Sequence, residues 1–344
     1  MIAGSTAALR YCAPMQAILA VTFPFFALVL LGYLAVQRRF LPESAIPGLN
    51  GFVLFFALPC MLFRFGASMP FAQLIDPVLI VIYGASALLL VFGTIALTLR
   101  RSPQGRGVTM KDAAFGALVA AFPNSGFMGF PLLIGLLGDG VAGPLIGCIL
   151  IDLVVTSSLC LALAQIRPAS ETATRHDLPA SFVRALRGAF SNPLPWAIAL
   201  GALVQAIGLT LPGPVNEIIK MLGDAATPVA LFTIGAVLWR ARQHASAPTP
   251  VSAYVPIALI KLLVHPALML AGAMLARAAG MNVPPFALLV LVLNAALPSA
   301  SNVAILAERY GADNGRITRI VMVSTALAFV TFSVIAWAFG VRRD

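Results

Sequence analysis

Apolar residues run through this chain in ten blocks, at about 15–36, 47–68, 76–99, 113–137, 141–165, 192–209, 215–239, 254–277, 284–307 and 315–340. Most are close to the ~20 residues a helix needs to cross about 30 Å of hydrocarbon. Outer-membrane strands alternate polar and apolar positions over about ten residues, and these blocks are continuous instead. A backbone immersed in lipid must satisfy its own hydrogen bonds, so each block is predicted to be helical. The expected fold is an all-α integral membrane protein with ten transmembrane helices.

The blocks fall into two similar sets. Leu58-Pro59-Cys60-Met61-Leu62-Phe63-Arg64-Phe65-Gly66-Ala67 in the second matches Thr227-Pro228-Val229-Ala230-Leu231-Phe232-Thr233-Ile234-Gly235-Ala236 in the seventh. The shared P-x-x-L-F-x-x-G-A string lies at an offset of 169, which also superposes Leu31-Gly32 on Leu200-Gly201. In the fourth and ninth blocks, Ala120-Ala121-Phe122-Pro123-Asn124 matches Ala295-Ala296-Leu297-Pro298-Ser299 at an offset of 175. The predicted organisation is a first five-helix repeat at 1–165, a linker at 166–190 and a second repeat at 191–344. An odd number of helices per repeat makes the second copy enter the membrane from the opposite side, an inverted topology common among secondary transporters.

Proline in a helix removes a backbone donor and clashes with the preceding turn, leaving carbonyl groups that lipid cannot satisfy. Breaks at Pro123 and Pro298 therefore require surrounding protein or water, and Asn124, Ser125, Ser299, Ser301 and Asn302 offer replacement hydrogen bonds. Two half-helix N-termini are expected to meet near the membrane midplane. Their free N–H groups and positive dipole ends suit an anion, especially a carboxylate. Pro59 and Pro228 have less polar surroundings and are read as structural bends. Gly126 and Gly129 are expected to permit close helix approach.

Charge sets orientation. Of 22 Lys and Arg residues, fifteen fall in the odd-numbered connections or at their edges and six in the others, with Lys261 left inside a span. Under the positive-inside rule the odd-numbered connections are cytoplasmic and both termini non-cytoplasmic, in a multi-pass inner-membrane protein. The net charge of +10 thus reads as topology rather than as a nucleic-acid footprint. With 60% apolar and 10% charged residues and a mean hydropathy of +0.97, little chain remains for a soluble catalytic domain. Cys12, Cys60, Cys148 and Cys160 lack metal or disulfide spacing, so no metal and no cofactor is expected. The first block is too long for a signal-peptide core and is expected to be retained, with Met15 an alternative start.

The stretch from Leu118 to Leu133, containing Phe122-Pro123-Asn124-Ser125-Gly126-Phe127-Met128-Gly129-Phe130-Pro131-Leu132, resembles the broken fourth helix of the auxin efflux carrier family. Ala296-Leu297-Pro298-Ser299-Ala300-Ser301-Asn302, followed by Leu306-Ala307-Glu308-Arg309-Tyr310-Gly311, is similar to its ninth. The resemblance implies a ten-helix carrier in which helices one, two, six and seven form a scaffold for a mobile unit holding crossed helices four and nine. It implies organic-anion substrates: indole acetic acid in plants, and dicarboxylates such as malate or malonate among bacterial relatives. By position it puts Pro123, Asn124 and Pro298 at the crossing. Ser299 stands where plant members often have a longer polar residue, and the large cytoplasmic loop of many plant members is absent.

Charges inside spans are candidates for ion coupling. Asp152, with Thr156, Ser157 and Ser158 nearby, is a candidate for binding a proton or sodium ion, with a structural hydrogen bond as the alternative. Lys261 is read as balancing substrate charge, pairing with Asp152, or snorkelling to the cytoplasmic face. His265 suits proton coupling or a structural hydrogen bond. Arg64 is read as an interfacial anchor. The expected function is secondary transport of a small organic anion; the alternative is a sodium-coupled organic-anion symporter of the bile-acid transporter type. Expected partners are the anion, a proton or sodium ion and the lipid bilayer, with a homodimer as an open assembly. No HExxH, GxSG or paired carboxylate supports an intramembrane enzyme, and no GxxxxGK[ST] supports ATP-driven transport.

Overall fold

The computed structural model describes residues 15–68, 76–100, 108–165, 193–243 and 249–341. The expected linker at 166–190 lies outside the described residues, as do Cys12 and the segment preceding Met15. In chain order the helices are α1 (Met15–Gln37), α2 (Glu43–Ser68), α3 (Pro77–Arg100), α4 (Met110–Ala121), α5 (Ser125–Leu137) and α6 (Asp139–Leu163). They continue with α7 (Pro193–Ala206), α8 (Gly213–Gln243), α9 (Val251–Ala278), α10 (Pro285–Ala295), α11 (Asn302–Arg309) and α12 (Asn314–Ala338).

Seven described helices are long and apolar enough to cross a membrane, and α5, α7 and α10 are shorter apolar helices. Large apolar side chains such as Leu30, Leu31, Phe55, Phe56, Leu89 and Phe92 stand exposed on the long helices. A bilayer is the environment that makes such exposure favourable.

Two helix pairs approach at backbone distance. A Cβ on Gly32 of α1 would collide with the Phe232 carbonyl of α8, and a Cβ on Gly235 of α8 would collide with the Val29 carbonyl of α1. Likewise, Gly201 of α7 lies against the Phe63 carbonyl of α2, and Gly66 of α2 lies against Ile198 of α7. Small residues let helix backbones touch where no hydrophobic force separates helix from lipid. Each member of one pair sits 169 residues from its counterpart in the other, the offset of the sequence match.

The helix α4 occupies the centre. Every residue from Ala113 to Ala121 is buried, because its run of Ala and Gly admits neighbours on all sides. Its first turn is fixed by Thr109, whose hydroxyl oxygen accepts from the Asp112 N–H at 3.1 Å, the N-cap arrangement. Asp112 in turn accepts from the Asp313 N–H at 2.9 Å, tying the start of α4 to the start of α12.

Among the described residues four helices contain a widened π turn: Val53–Ala57 in α2, Ser125–Gly129 in α5, Asp152–Thr156 in α6 and Ile260–Val264 in α9. Three have one cause. Pro59, Pro131 and Pro266 each follow two residues after such a turn, and the residue four before each proline lies within it. A proline ring collides with that carbonyl in a regular helix, and the wider turn moves it aside. The repeat-matched prolines differ here, since Pro228 lies inside the continuous helix α8 while Pro59 follows a π turn.

Candidate functional site

Pro123 and Pro298 are buried at the same place in the molecule, at the two points where apolar spans lose their helix. Helix α4 ends at Ala121, Phe122 is extended, and α5 begins at Ser125. Helix α10 ends at Ala295, and α11 begins at Asn302. At 1.5 Å per residue, the twelve residues of α4 cover about 18 Å. That is short of the roughly 30 Å a helix needs to cross the hydrocarbon layer, so α4 alone does not make a span.

The two interrupted segments satisfy one another. The Asn124 N–H donates to the Pro298 carbonyl at 2.9 Å, and the Ala300 N–H donates to the Phe122 carbonyl at 3.0 Å. They form an antiparallel bridge centred on Pro123 and Ser299, a scrap of sheet between broken helices. Backbone groups freed by proline thus find partners inside the protein, as burial in lipid demands. Ser299 N–H is held by the Ser324 hydroxyl of α12 at 3.2 Å.

The polar side chains around this bridge are shielded: Asn124 is 3% exposed, Ser125 2%, Ser299 1% and Ser301 9%. Two lack a protein partner, the Ser299 hydroxyl and the Asn302 Oδ1. Neither α5 nor α11 carries a side-chain cap at its N-terminus; the Ser125 N–H turns back to the Pro123 carbonyl at 2.8 Å, and the Val303 and Ala304 N–H groups to the Ala300 and Ser301 carbonyls at 3.3 and 3.2 Å, so neither start uses the usual Ser, Thr or Asp side-chain oxygen. An uncapped helix start with buried hydroxyl and amide groups can hold an anion. Of the two glycines, Gly129 permits a close approach, because a Cβ there would stand 2.7 Å from Leu297 Cδ1. Gly126 does not, since a Cβ would meet nothing within 4 Å; the expectation for that residue is corrected.

A chain of buried side chains leads away from the break. Ser125 Oγ donates to Asn294 Oδ1 at 2.7 Å, Asn294 Nδ2 donates to Tyr83 Oη at 3.5 Å, and Tyr83 Oη donates to Asp152 Oδ2 at 2.7 Å. Thr156 Oγ1 reaches the other Asp152 oxygen at 3.4 Å, while Ser157 bonds the Leu153 carbonyl at 2.5 Å. Asp152 is 1% exposed. Among the described π turns it opens the one that no proline explains, and such turns cluster at functional sites.

Lys261 is fully buried in α9, and its ammonium donates to the Ala295 carbonyl at 2.7 Å and lies 3.0 Å from His265 Nδ1. Snorkelling to the cytoplasmic face is therefore corrected: the head group turns inward to the last carbonyl of α10, where the helix stops short of Pro298. Lys261 and Asp152 act on one another electrostatically without a direct ion pair. The His265 Nε2 atom has no partner. Arg64, read as an anchor, forms an ion pair with Asp224 of α8 at 2.7 Å.

Sequence reasoning missed Tyr83 and Asn294. An amide inside an apolar span is costly enough to mark a site, so Asn294, one residue before Ala295-Ala296-Leu297-Pro298, carried a readable signal. Tyr83 carried none without its interhelical partner. Among the described residues no group of His, Cys, Asp and Glu is placed to hold a metal ion.

The family model described as "Membrane transport protein" matches residues 17–336. A protein of Rhizobium meliloti (strain 1021) described as "Putative malonate transporter" is 28% identical over 319 residues, covering 92% of this chain and 94% of that one. "Uncharacterized transporter YfdV" of Escherichia coli (strain K12) is 28% identical over 327 residues, covering 93% and 96%. "Auxin efflux carrier component 8" of Arabidopsis thaliana is 24% identical over 338 residues, covering 85% and 89%. A match across nearly the whole sequence, over a helical membrane fold broken at Pro123 and Pro298, makes this chain a member of the auxin efflux carrier family of membrane transport proteins.

Proposed function

We propose that this chain is a secondary carrier that moves a small organic anion, a carboxylate and in particular a dicarboxylate such as malonate or malate, by alternating access. In this reading α4 with α5 forms the fourth of ten spans, α10 with α11 forms the ninth, and the two cross at their breaks. The spans make a five-plus-five inverted repeat, with both termini on the non-cytoplasmic side of an inner membrane. The carrier works without catalysis.

The observation that carries this reading is the reciprocal pair of backbone hydrogen bonds, Asn124 N–H to Pro298 and Ala300 N–H to Phe122, beside two uncapped helix starts. Half-helix N-termini aimed at a buried gap are a recurrent carboxylate cradle. Pro123, Asn124, Ser125, Pro298, Ser299, Ser301 and Asn302 would line it, with Ser299 Oγ and Asn302 Oδ1 still without protein partners. Support for the repeat comes from the glycine contacts, in which Gly32 with Phe232 and Gly201 with Phe63 are related by one offset. The malonate named for the Rhizobium meliloti relative supports a dicarboxylate.

Asp152, Lys261 and His265 are the proposed coupling groups. A sodium-coupled symporter is the second reading, and one observation weighs against it: the Ala295 carbonyl, which a sodium ion near the broken ninth span could use, already carries the Lys261 ammonium. Uptake of labelled malonate, malate and indole-3-acetate into proteoliposomes, with and without proton or sodium gradients, tests both. The first reading expects saturable carboxylate uptake that Asn124→Ala greatly reduces. Normal transport of every tested anion by Asn124→Ala would sink the proposed site, and accumulation that follows only sodium would favour the second reading.

A further inference from the structure

A cavity of about 320 Å³ opens beside Asp76, at the end of the molecule where α3 begins. Its walls come from α3, α6 and α10, and include Pro144, Phe286 and Leu291. Cys148 is also part of its lining. That residue lies one helical turn before Asp152, on the same face of α6. Cys148 also lies beside the Asn294 amide. The lining residues Leu79, Cys148 and Leu291 thus stand about one helical turn before Tyr83, Asp152 and Asn294, and neither Pro123 nor Pro298 is part of the lining.

The cluster is built to register a charge. Around Asp152 stand Tyr83 from α3, Lys261 and His265 from α9, and Cys148 from its own helix. The Tyr83 and His265 rings lie 6.2 Å apart between centroids. A buried carboxylate accompanied by a buried ammonium has little net charge. Neutralising the carboxylate leaves the ammonium uncompensated beside the broken ninth span.

Hydrogen-bond direction offers a second link. Ser125, Asn294 and Tyr83 each point a donor toward Asp152, so the chain of donors ends on its Oδ2. Both hydroxyl donors are thereby committed, along with one of the two N–H donors of the amide. A carboxylate accepts only, whereas a carboxylic acid also donates.

We propose that Asp152 is a proton-binding site reached through the cavity beside Asp76, and that its protonation reverses this chain and frees the Ser125 hydroxyl for the transported anion. The proton comes from water in the cavity and forms an O–H bond at Asp152 Oδ2. That hydrogen donates to Tyr83 Oη, and the Tyr83 hydrogen turns to Asn294 Oδ1 as the amide rotates. Ser125 then accepts from Asn294 Nδ2 and points its own hydrogen into the break. One proton enters, no other covalent bond changes, and no proton leaves. The consequence is that proton and anion bind together, which makes the carrier a proton symporter. This transport consequence rests on the carrier reading above; the proton site does not.

The test has two arms. In the first, infrared difference spectra between acid and alkaline pH are recorded on the full chain in liposomes, without any anion. A buried carboxylic-acid band is expected in wild type and Asp76→Asn, shifted in Tyr83→Phe and missing in Asp152→Asn. Gly147→Leu, at a cavity-lining position where a Cβ meets nothing nearer than Ile80 Cγ1 at 3.9 Å, keeps the band but slows its appearance after a pH jump. A band that survives in Asp152→Asn, or no band in wild type, overturns the site, and an unchanged rate in Gly147→Leu overturns the route.

In the second arm, malonate counterflow is measured against pH. Wild type is expected to bind malonate about fivefold or more tightly on acidification, the lower end of ordinary coupling between two sites. Asp152→Asn and Tyr83→Phe are expected to exchange malonate without that dependence. Exchange in wild type that ignores pH overturns the relay alone. Absence of carboxylate exchange with the Asp152 band intact overturns the carrier reading and leaves the proton site standing.

Discussion

Gly32 of α1 lies directly against the Phe232 carbonyl of α8, with no room for a side chain between the two backbones. A larger residue must push the helices apart, because the obstacle is main chain rather than a flexible tip. Overpacking of this kind costs about 1–3 kcal/mol. Gly32→Val is therefore expected to lower the melting temperature of the purified protein, and Gly201→Val, facing the Phe63 carbonyl, to lower it to a similar extent. Gly126→Ala, which meets nothing within 4 Å, is expected to leave it unchanged. A clear difference between the two valine variants would contradict the pairing of α1 and α8 with α2 and α7 as equivalents.

Ser299 presents a contrast between folding and binding. Its hydroxyl is buried with no partner, an arrangement that costs on the order of 1 kcal/mol or more. Ser299→Ala is expected to hold or raise thermal stability and to weaken anion uptake at low concentration. Asn124→Ala leaves the backbone bridge in place, because the donor to Pro298 is the Asn124 main chain. It is expected to reduce uptake at least tenfold, about 1.4 kcal/mol in transition-state terms, with little change in melting temperature. Uptake against malonate concentration, together with a melting curve for each variant, separates these outcomes.

The positions of these residues were legible to different degrees. Helix runs and the interruptions at Pro123 and Pro298 follow from local rules, since hydrophobic length and proline chemistry act within a single segment. The π turns before Pro59, Pro131 and Pro266 obey the same local chemistry, yet a proline in sequence does not reveal whether a helix bends, widens or breaks. Pro228, inside an unbroken α8, illustrates the ambiguity. The inward turn of Lys261 and the partnership of Tyr83 with Asp152 depend on the rotation of one helix against another. That rotation is set by packing across hundreds of residues, as at Gly32 and Phe232.

Arg64 and Asp224 form an ion pair at 2.7 Å, with side chains 39% and 59% exposed. Exposed pairs contribute about 0–1 kcal/mol, because solvent screens the attraction and two long side chains lose freedom. Arg64→Ala is expected to change the melting temperature by no more than a few degrees and to leave malonate uptake near the wild-type level. A large loss of uptake at unchanged stability would instead give Arg64 a role in drawing the anion toward the site.

Lys261 carries a larger stake than that surface pair. Its ammonium sits on the Ala295 carbonyl and balances Asp152 within a fully buried cluster. Lys261→Met removes both services at once: it leaves the buried Ala295 carbonyl without its donor, a loss on the order of 1–3 kcal/mol, and takes away the positive charge that acts on Asp152. The single variant is expected to express poorly or melt well below wild type. Adding Asp152→Asn removes the stranded charge, so the double variant is expected to regain a substantial part of the loss, an interaction that a double-mutant cycle reads directly. If the two losses simply add, the ammonium serves the carbonyl alone, and the charge balance between α6 and α9 plays no part in stability. Recovery in the double variant, with uptake still absent, would separate the structural role of the pair from its part in transport.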